Sequence, residues 1–143
     1  MLLKVWSGIF LLGCAIVDVK TNKVYQNICI INYLIALIAK VIFSKFYFQS
    51  LVISLCMCAI LFLIAVLTKQ AIGYGDVFVI LTLTGILNVK STVEIFFFAL
   101  LVCCVFSIVI LLTRKGSMKS TLPFVPFLLA GDFIWIVLGE FYV

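Results

Sequence analysis

Six apolar runs fill this chain, at roughly 2–17, 24–43, 49–67, 76–89, 93–113 and 122–142, with only short polar interruptions between them. Most are long enough to cross the ~30 Å hydrocarbon core of a bilayer as helices. The fourth is short, which suits a tilted helix or one that begins inside a wet cavity. In lipid the backbone must satisfy its own hydrogen bonds, so such runs specify helices rather than loops or open strands. Of the 143 residues, 67% are hydrophobic and 10% charged, and the mean hydropathy is +1.45. A soluble domain of this size has no interior large enough for that much apolar surface. The expectation is an all-α, polytopic integral membrane protein with six transmembrane helices, forming one domain over residues 1–143. The two prolines, Pro123 and Pro126, stand at the start of the last run, where a first helical turn tolerates them.

The same composition narrows the function. The net charge of +5 comes from scattered loop lysines facing membrane lipids. No basic stripe interleaved with exposed aromatics is present, so a nucleic acid is not an expected partner. Six cysteines (Cys14, Cys29, Cys56, Cys58, Cys103 and Cys104) lie in apolar runs, with no C-x-x-C pair and no histidine in the chain. They read as small hydrophobes, and neither a metal nor another cofactor is expected. The first run could pass for a signal peptide, but no small-residue cleavage site follows it and Asp18 would be lost with it.

Basic residues orient the chain. The first, third and fifth loops carry Lys20, Lys23, Lys69, Arg114, Lys115 and Lys119. The other side carries Lys4, Lys40, Lys45 and Lys90, partly offset by Glu94, a balance of six against four. The excess puts the odd loops in the cytoplasm and both termini outside.

Against this apolar background Gly73-Tyr74-Gly75-Asp76 stands out, a carboxylate behind two glycines at the head of the fourth run. Ionisable groups within a membrane are costly and are functional candidates, and glycines allow another backbone to approach closely. A second carboxylate, Asp18, closes the first run. Two crossings separate the aspartates, so the chain returns to the face it left and both lie at the cytoplasmic side. Alone, each reads as an interfacial helix cap. At hydrogen-bond range two aspartates do not both ionise easily and share a proton. One then serves as base toward water while the other protonates a carbonyl oxygen, which is peptide hydrolysis of the aspartic type. The absence of histidine removes Ser-His and Cys-His chemistry, and no glycine-rich phosphate loop is present.

Gly73-Tyr74-Gly75-Asp76 matches the G-x-G-D motif of aspartyl membrane proteases, and its surroundings resemble the type IV prepilin peptidase family. In that family the first aspartate precedes a basic turn, commonly D-x-[KR]-x-x-[KR]-I-P-N. Here the stretch is Asp18-Val19-Lys20-Thr21-Asn22-Lys23-Val24-Tyr25-Gln26, with Tyr25-Gln26 in place of Pro-Asn. Leu122-Pro123-Phe124-Val125-Pro126-Phe127 is similar to the family's P-F-x-P-F opening of the last helix. The lysine that often follows the motif aspartate is replaced by Val77-Phe78. The resemblance implies Asp18 and Asp76 as catalytic residues, supported by Gly73 and Gly75. It also implies a cytoplasmic-membrane peptidase of a bacterium or archaeon that removes short basic leaders from pilin-like precursors whose leader is followed by an apolar helix. Because the chain starts directly in an apolar run and lacks paired cysteines, the expected form is peptidase-only, without methyl transfer.

Other polar residues have structural readings. Asp132, midway along the last run, is expected to be neutral and hydrogen-bonded or to face a polar cavity. Asn32, Asn88, Thr82 and Thr84 are expected to bond between helices, Phe96-Phe97-Phe98 to face lipid or core, and Glu140 to lie at an interface. The rival functions are a small ion or proton carrier using Asp18, Asp76 and Asp132 as a relay, and a non-enzymatic subunit of a membrane assembly. A presenilin-like or signal-peptide-peptidase-like protease shares G-x-G-D but carries a P-A-L segment, which is absent here.

Overall fold

A computed structural model describes residues 2–21, 25–43, 48–68, 73–112 and 123–141. Among them are six helices and no strand: α1 (Leu2–Thr21), α2 (Gln26–Phe43), α3 (Phe48–Leu67), α4 (Tyr74–Ile86), α5 (Val89–Leu112) and α6 (Val125–Phe141). Two stretches, Leu2–Lys20 and Val89–Ile110, are long and apolar enough to cross a membrane by themselves. Gln26–Ile42, Leu51–Leu67, Tyr74–Ile86 and Val125–Gly139 are apolar but shorter. Lys23, Lys45, Lys69, Arg114, Lys115 and Lys119, on which much of the charge balance rests, lie outside the described residues, as does the side chain of Glu140.

The shortest helix is the hub. α4 has 13 residues, about 20 Å of rise, and packs against α1, α2, α3 and α5. It has no polar face to give to solvent, and a helix that is apolar all round belongs in an interior. Val77, Val79, Ile80 and the run from Thr82 to Ile86 are buried. The Thr82 hydroxyl lies 2.8 Å from Phe78 O in its own helix and 3.0 Å from Cys29 O of α2, sharing its one proton between them. Thr84 and Asn32 instead bond within their own helices, to Leu81 O at 2.7 Å and Ile28 O at 3.2 Å. A short side chain one turn from a carbonyl of its own helix reaches that carbonyl before a neighbour's.

At the far end of α4, Lys40 of α2 donates to Thr84 O at 3.2 Å and Leu87 O at 2.6 Å. These are among the carbonyls a helix leaves unpaired at its C-terminus, where a cation is favoured. Only Leu87 and Asn88 separate α4 from α5. The Asn88 carbonyl accepts from the Thr92 amide and hydroxyl, both at 3.0 Å. This caps α5 and starts it at Val89, four residues before the apolar run, with Lys90 kept exposed.

Among the described residues the most extensive contact in the bundle is between α5 and α6, and α1 packs on α6 as well. α5 and α6 come so close that a Cβ on Gly131 would lie 2.6 Å from Ile95 O and 2.9 Å from Ala99 N. The rings of Phe106 and Phe127 meet across this seam at 5.5 Å, and Phe96 meets Phe124 at 6.0 Å. Phe97 points outward, 58% exposed. Cys14 and Cys29 are buried, whereas Cys56 and Cys104 sit on the outer surface.

Candidate active site

Asp18 does not end its helix. α1 runs three residues further, to Thr21, and Lys20 in that last turn suits the negative end of the helix dipole. Asp18 therefore has a rigid backbone, and its side chain turns inward, 5% exposed.

Its partner comes from the last helix. In the first turn of α6 the Phe124 carbonyl accepts from Phe127 N at 3.0 Å and Leu128 N at 3.2 Å. Pro126 has no amide hydrogen to place. The Val125 amide remains as an orphan donor of the helix start, on a fully buried residue. It donates to Asp18 Oδ2 at 3.2 Å. One contact thus satisfies a buried N–H, sets a carboxylate against a helix N-terminus and fixes the orientation of that carboxylate. Sequence reasoning singled out the Pro123–Phe127 segment but not this bond. The clue lies in Pro126, which leaves Val125 as the nearest amide in need of an acceptor.

Asp76 sits in the first turn of α4. Gly73 precedes it in an extended conformation, φ −63° and ψ 135°, and the Gly73 carbonyl accepts from the amides of Asp76 at 3.0 Å and Val77 at 3.4 Å. The Asp76 carboxyl folds back over Gly73, where a Cβ would lie 3.1 Å from Oδ2. The first glycine of the motif thus makes room for the motif's own aspartate. Tyr74 steadies the turn by packing its ring on Phe62 of α3 at 5.4 Å. Asp76 and Gly75 are both half-buried.

Asp18 lies in the last turn of α1 and Asp76 in the first turn of α4, and these two helices pack against each other although 58 positions part the aspartates in the chain (76 minus 18). Their settings differ: Asp18 is tied to an amide, while Asp76 lies over a glycine at a half-open helix start. Two carboxyls in unlike settings are the kind of pair that acid–base activation of a water uses.

Asp132 stands apart. It is buried at 1% exposure and takes part in hydrogen bonds with Ser7, whose hydroxyl lies 3.3 Å from Oδ1 and 3.5 Å from Oδ2. Ser7 precedes Asp18 by eleven positions, about 16 Å of helix. Further along, Lys4 lies 5.1 Å over the Trp135 ring, and Trp135 donates to Glu94 Oε2 at 2.7 Å. This set ties α1, α5 and α6 together at the end opposite Asp18. Among the described residues no group of three or more histidine, cysteine or acidic side chains is arranged to hold a metal.

Residues 6–108 match the family model of the type IV leader peptidase family. The matched span contains Asp18 and Gly73 through Asp76 and ends before Pro123. The chain is also similar to the prepilin leader peptidase/N-methyltransferase of Bacillus subtilis (strain 168), with 29% identity over 77 residues. That alignment takes in 54% of this chain and 31% of the relative, so the chain spans about a third of the length of the curated relative it matches. No solved structure matches at a significant level.

Proposed function

Because the chain belongs to the type IV leader peptidase family, we propose that it is an aspartic-type endopeptidase, held in the membrane by six spans. On this reading it removes the basic leader from pilin-like precursors at the cytoplasmic face. The observation that carries the reading is the packing of α1 against α4, the helices that hold Asp18 and Asp76, two aspartates far apart in a chain with only five acidic residues. Large apolar side chains exposed around the bundle, such as Leu12, Ile35, Ile60 and Val105, favour lipid as its surroundings. In water a surface of that kind would associate.

In the proposed reaction a water lies between the two carboxyls. The ionised aspartate takes a proton from the water as it attacks the peptide carbonyl, and the protonated one donates to the carbonyl oxygen. The resulting tetrahedral species collapses when the leaving amine receives a proton, and the aspartate pair returns to its starting state. The Val125 amide holds Asp18 in place throughout, and the room above Gly73 lets the Asp76 carboxyl settle toward the water.

The test is cleavage of a purified precursor carrying a basic leader, followed by gel shift. Asp18→Asn and Asp76→Asn should each abolish cleavage while the protein still inserts, because asparagine keeps size and polarity but carries no titrating proton. The double variant should be no worse than either single one, as expected of groups that act as a unit. Substantial cleavage by either single variant removes the paired-aspartate mechanism. Labelling by an impermeant thiol reagent at a cysteine placed at Thr21 or Ser117 checks orientation, and efficient labelling from outside the cell contradicts a cytoplasmic site.

A further inference from the structure

Two of the six cysteines meet. Cys14 of α1 and Cys29 of α2 share a side-chain hydrogen bond, and both are buried in one apolar cluster. The packing around them agrees. Cys14 lines a cleft between α1 and α2, together with Tyr25 and Ile28 of α2, and Cys29 follows Ile28 in the chain. Cys29 is 0% exposed, whereas Cys14 keeps 8% where it borders the cleft. Elsewhere α1 and α2 form no substantial interface among the described residues, and each leans on α4 instead. A buried thiol packed as a small hydrophobe is inert. This pair differs in having an entry path at Cys14 and a second sulfur already in contact with the first. An accessible thiol with a resolving thiol beside it is the arrangement of redox-responsive cysteines.

Resting on the peptidase reading, we propose that Cys14 and Cys29 form a redox-responsive dithiol, which a peroxide oxidises to a disulfide that pins α1 to α2 and slows cleavage. The oxidation balances in two steps. The Cys14 sulfur attacks one oxygen of hydrogen peroxide, the O–O bond breaks, and a sulfenic acid and one water result. The Cys29 sulfur then attacks the Cys14 sulfur and the S–O bond breaks. Hydroxide leaves and takes the Cys29 proton as a second water, and the S–S bond forms. Two thiols have given up two electrons, and the peroxide is reduced to water. Exchange with a small dithiol reverses the change, and reversible sensing is the use that reducing compartments make of disulfides. Closure draws the sulfurs from hydrogen-bond contact to about 2.05 Å, so α1 and α2 must approach each other. The cleft beside the pair leaves them room to do so. The movement reaches the candidate site along α1. Cys14 precedes Asp18 by four positions, one turn away on the same helix face, and the Asp18 carboxyl is held by its 3.2 Å bond from Val125 N. A misplacement of about 1 Å can cost catalysis roughly 100-fold.

The test uses the full chain with Cys56, Cys58, Cys103 and Cys104 replaced by alanine, so that thiol counting reports on the pair alone. Hydrogen peroxide should remove both remaining thiols and join the peptides that carry Cys14 and Cys29, as read by mass spectrometry. It should also lower cleavage of a precursor by about tenfold or more, and dithiothreitol should restore both thiols and activity. Cys29→Ala in the same background should cleave equally well before and after peroxide. Thiols that stay free, a disulfide that leaves cleavage unchanged, or an equal loss of cleavage in oxidised Cys29→Ala each overturns the switch while leaving the peptidase reading intact. A reduced wild-type protein that cleaves no precursor overturns the peptidase reading instead, and the thiol count still decides whether the pair closes.

Discussion

Two glycine-to-alanine changes, both in helices, should move stability in opposite directions. At Gly131 the added methyl would lie 2.6 Å from Ile95 O and 2.9 Å from Ala99 N. Ordinary carbon–oxygen contact needs about 3.4 Å, so α5 and α6 must part by about 0.8 Å, and rigid backbone on both sides leaves no side chain to swing away. The separation falls on the bundle's most extensive interface. Overpacking of this kind costs about 1–3 kcal/mol, against which alanine returns up to ~1 kcal/mol of helix propensity. We expect Gly131→Ala to lose about 2 kcal/mol, toward the upper end because both clashes are with backbone. At Gly13 a Cβ meets nothing within 4 Å among the described residues, so only the propensity gain remains, up to about 1 kcal/mol. Reversible unfolding of both variants by sodium dodecyl sulfate in mixed micelles measures the difference. A Gly131→Ala protein as stable as wild type would refute the close α5–α6 crossing, and a destabilised Gly13→Ala would refute the open space beside Gly13.

Val125→Pro keeps a residue compatible with the first turn of a helix but removes the amide that Asp18 accepts, so cleavage should fall by about tenfold or more, as loss of a hydrogen bond to a charged group costs ~1.5–3 kcal/mol. Val125→Ala, which keeps the amide, should retain most activity in the same gel-shift assay. Lys40→Met strips the donor from Thr84 O and Leu87 O and should destabilise the protein by about 1–3 kcal/mol, read by the same detergent titration. Tyr33→Phe should be neutral or stabilising, because the buried Tyr33 hydroxyl has no hydrogen-bond partner among the described residues and its removal leaves none of them unpaired. Asp132→Asn should still cleave precursor, since Asp132 meets Ser7 at a distance from the aspartate pair; loss of activity there would contradict a structural role.

The helices were legible because lipid-length apolar runs leave the backbone little choice. Their ends were less so: Lys90 looks like a loop residue by polarity, yet the Asn88 cap starts α5 ahead of it. The expectation that Asp18 and Asp76 share one end of the bundle rests on the two helices, α2 and α3, that lie between them in the chain. The contacts that fix the site were hidden because they join residues far apart in the chain. Val125 reaches Asp18 across 107 positions, and Lys40 reaches Leu87 across 47. An amide donor carries no side-chain signature, and Lys40 reads as one more loop lysine until α4 is seen to stop beside it. Gly73 was read as a place for another backbone to approach, whereas its missing Cβ accommodates the carboxyl three residues later.

The fully buried Leu11 and Leu128 lie between the Asp18–Val125 contact and the Ser7–Asp132 contact, on the same two helices. Ile80 and Leu83 of the hub are buried as well. Together they form an insulating partition. On α1 only Cys14 interrupts the apolar and glycine residues that separate Ser7 from Asp18, and a thiol is a poor link in a proton wire. On the proposed reading, a protein of this design would admit water and exchange protons at one face without short-circuiting the electrochemical gradient across its membrane, so cells overproducing it should keep their membrane potential.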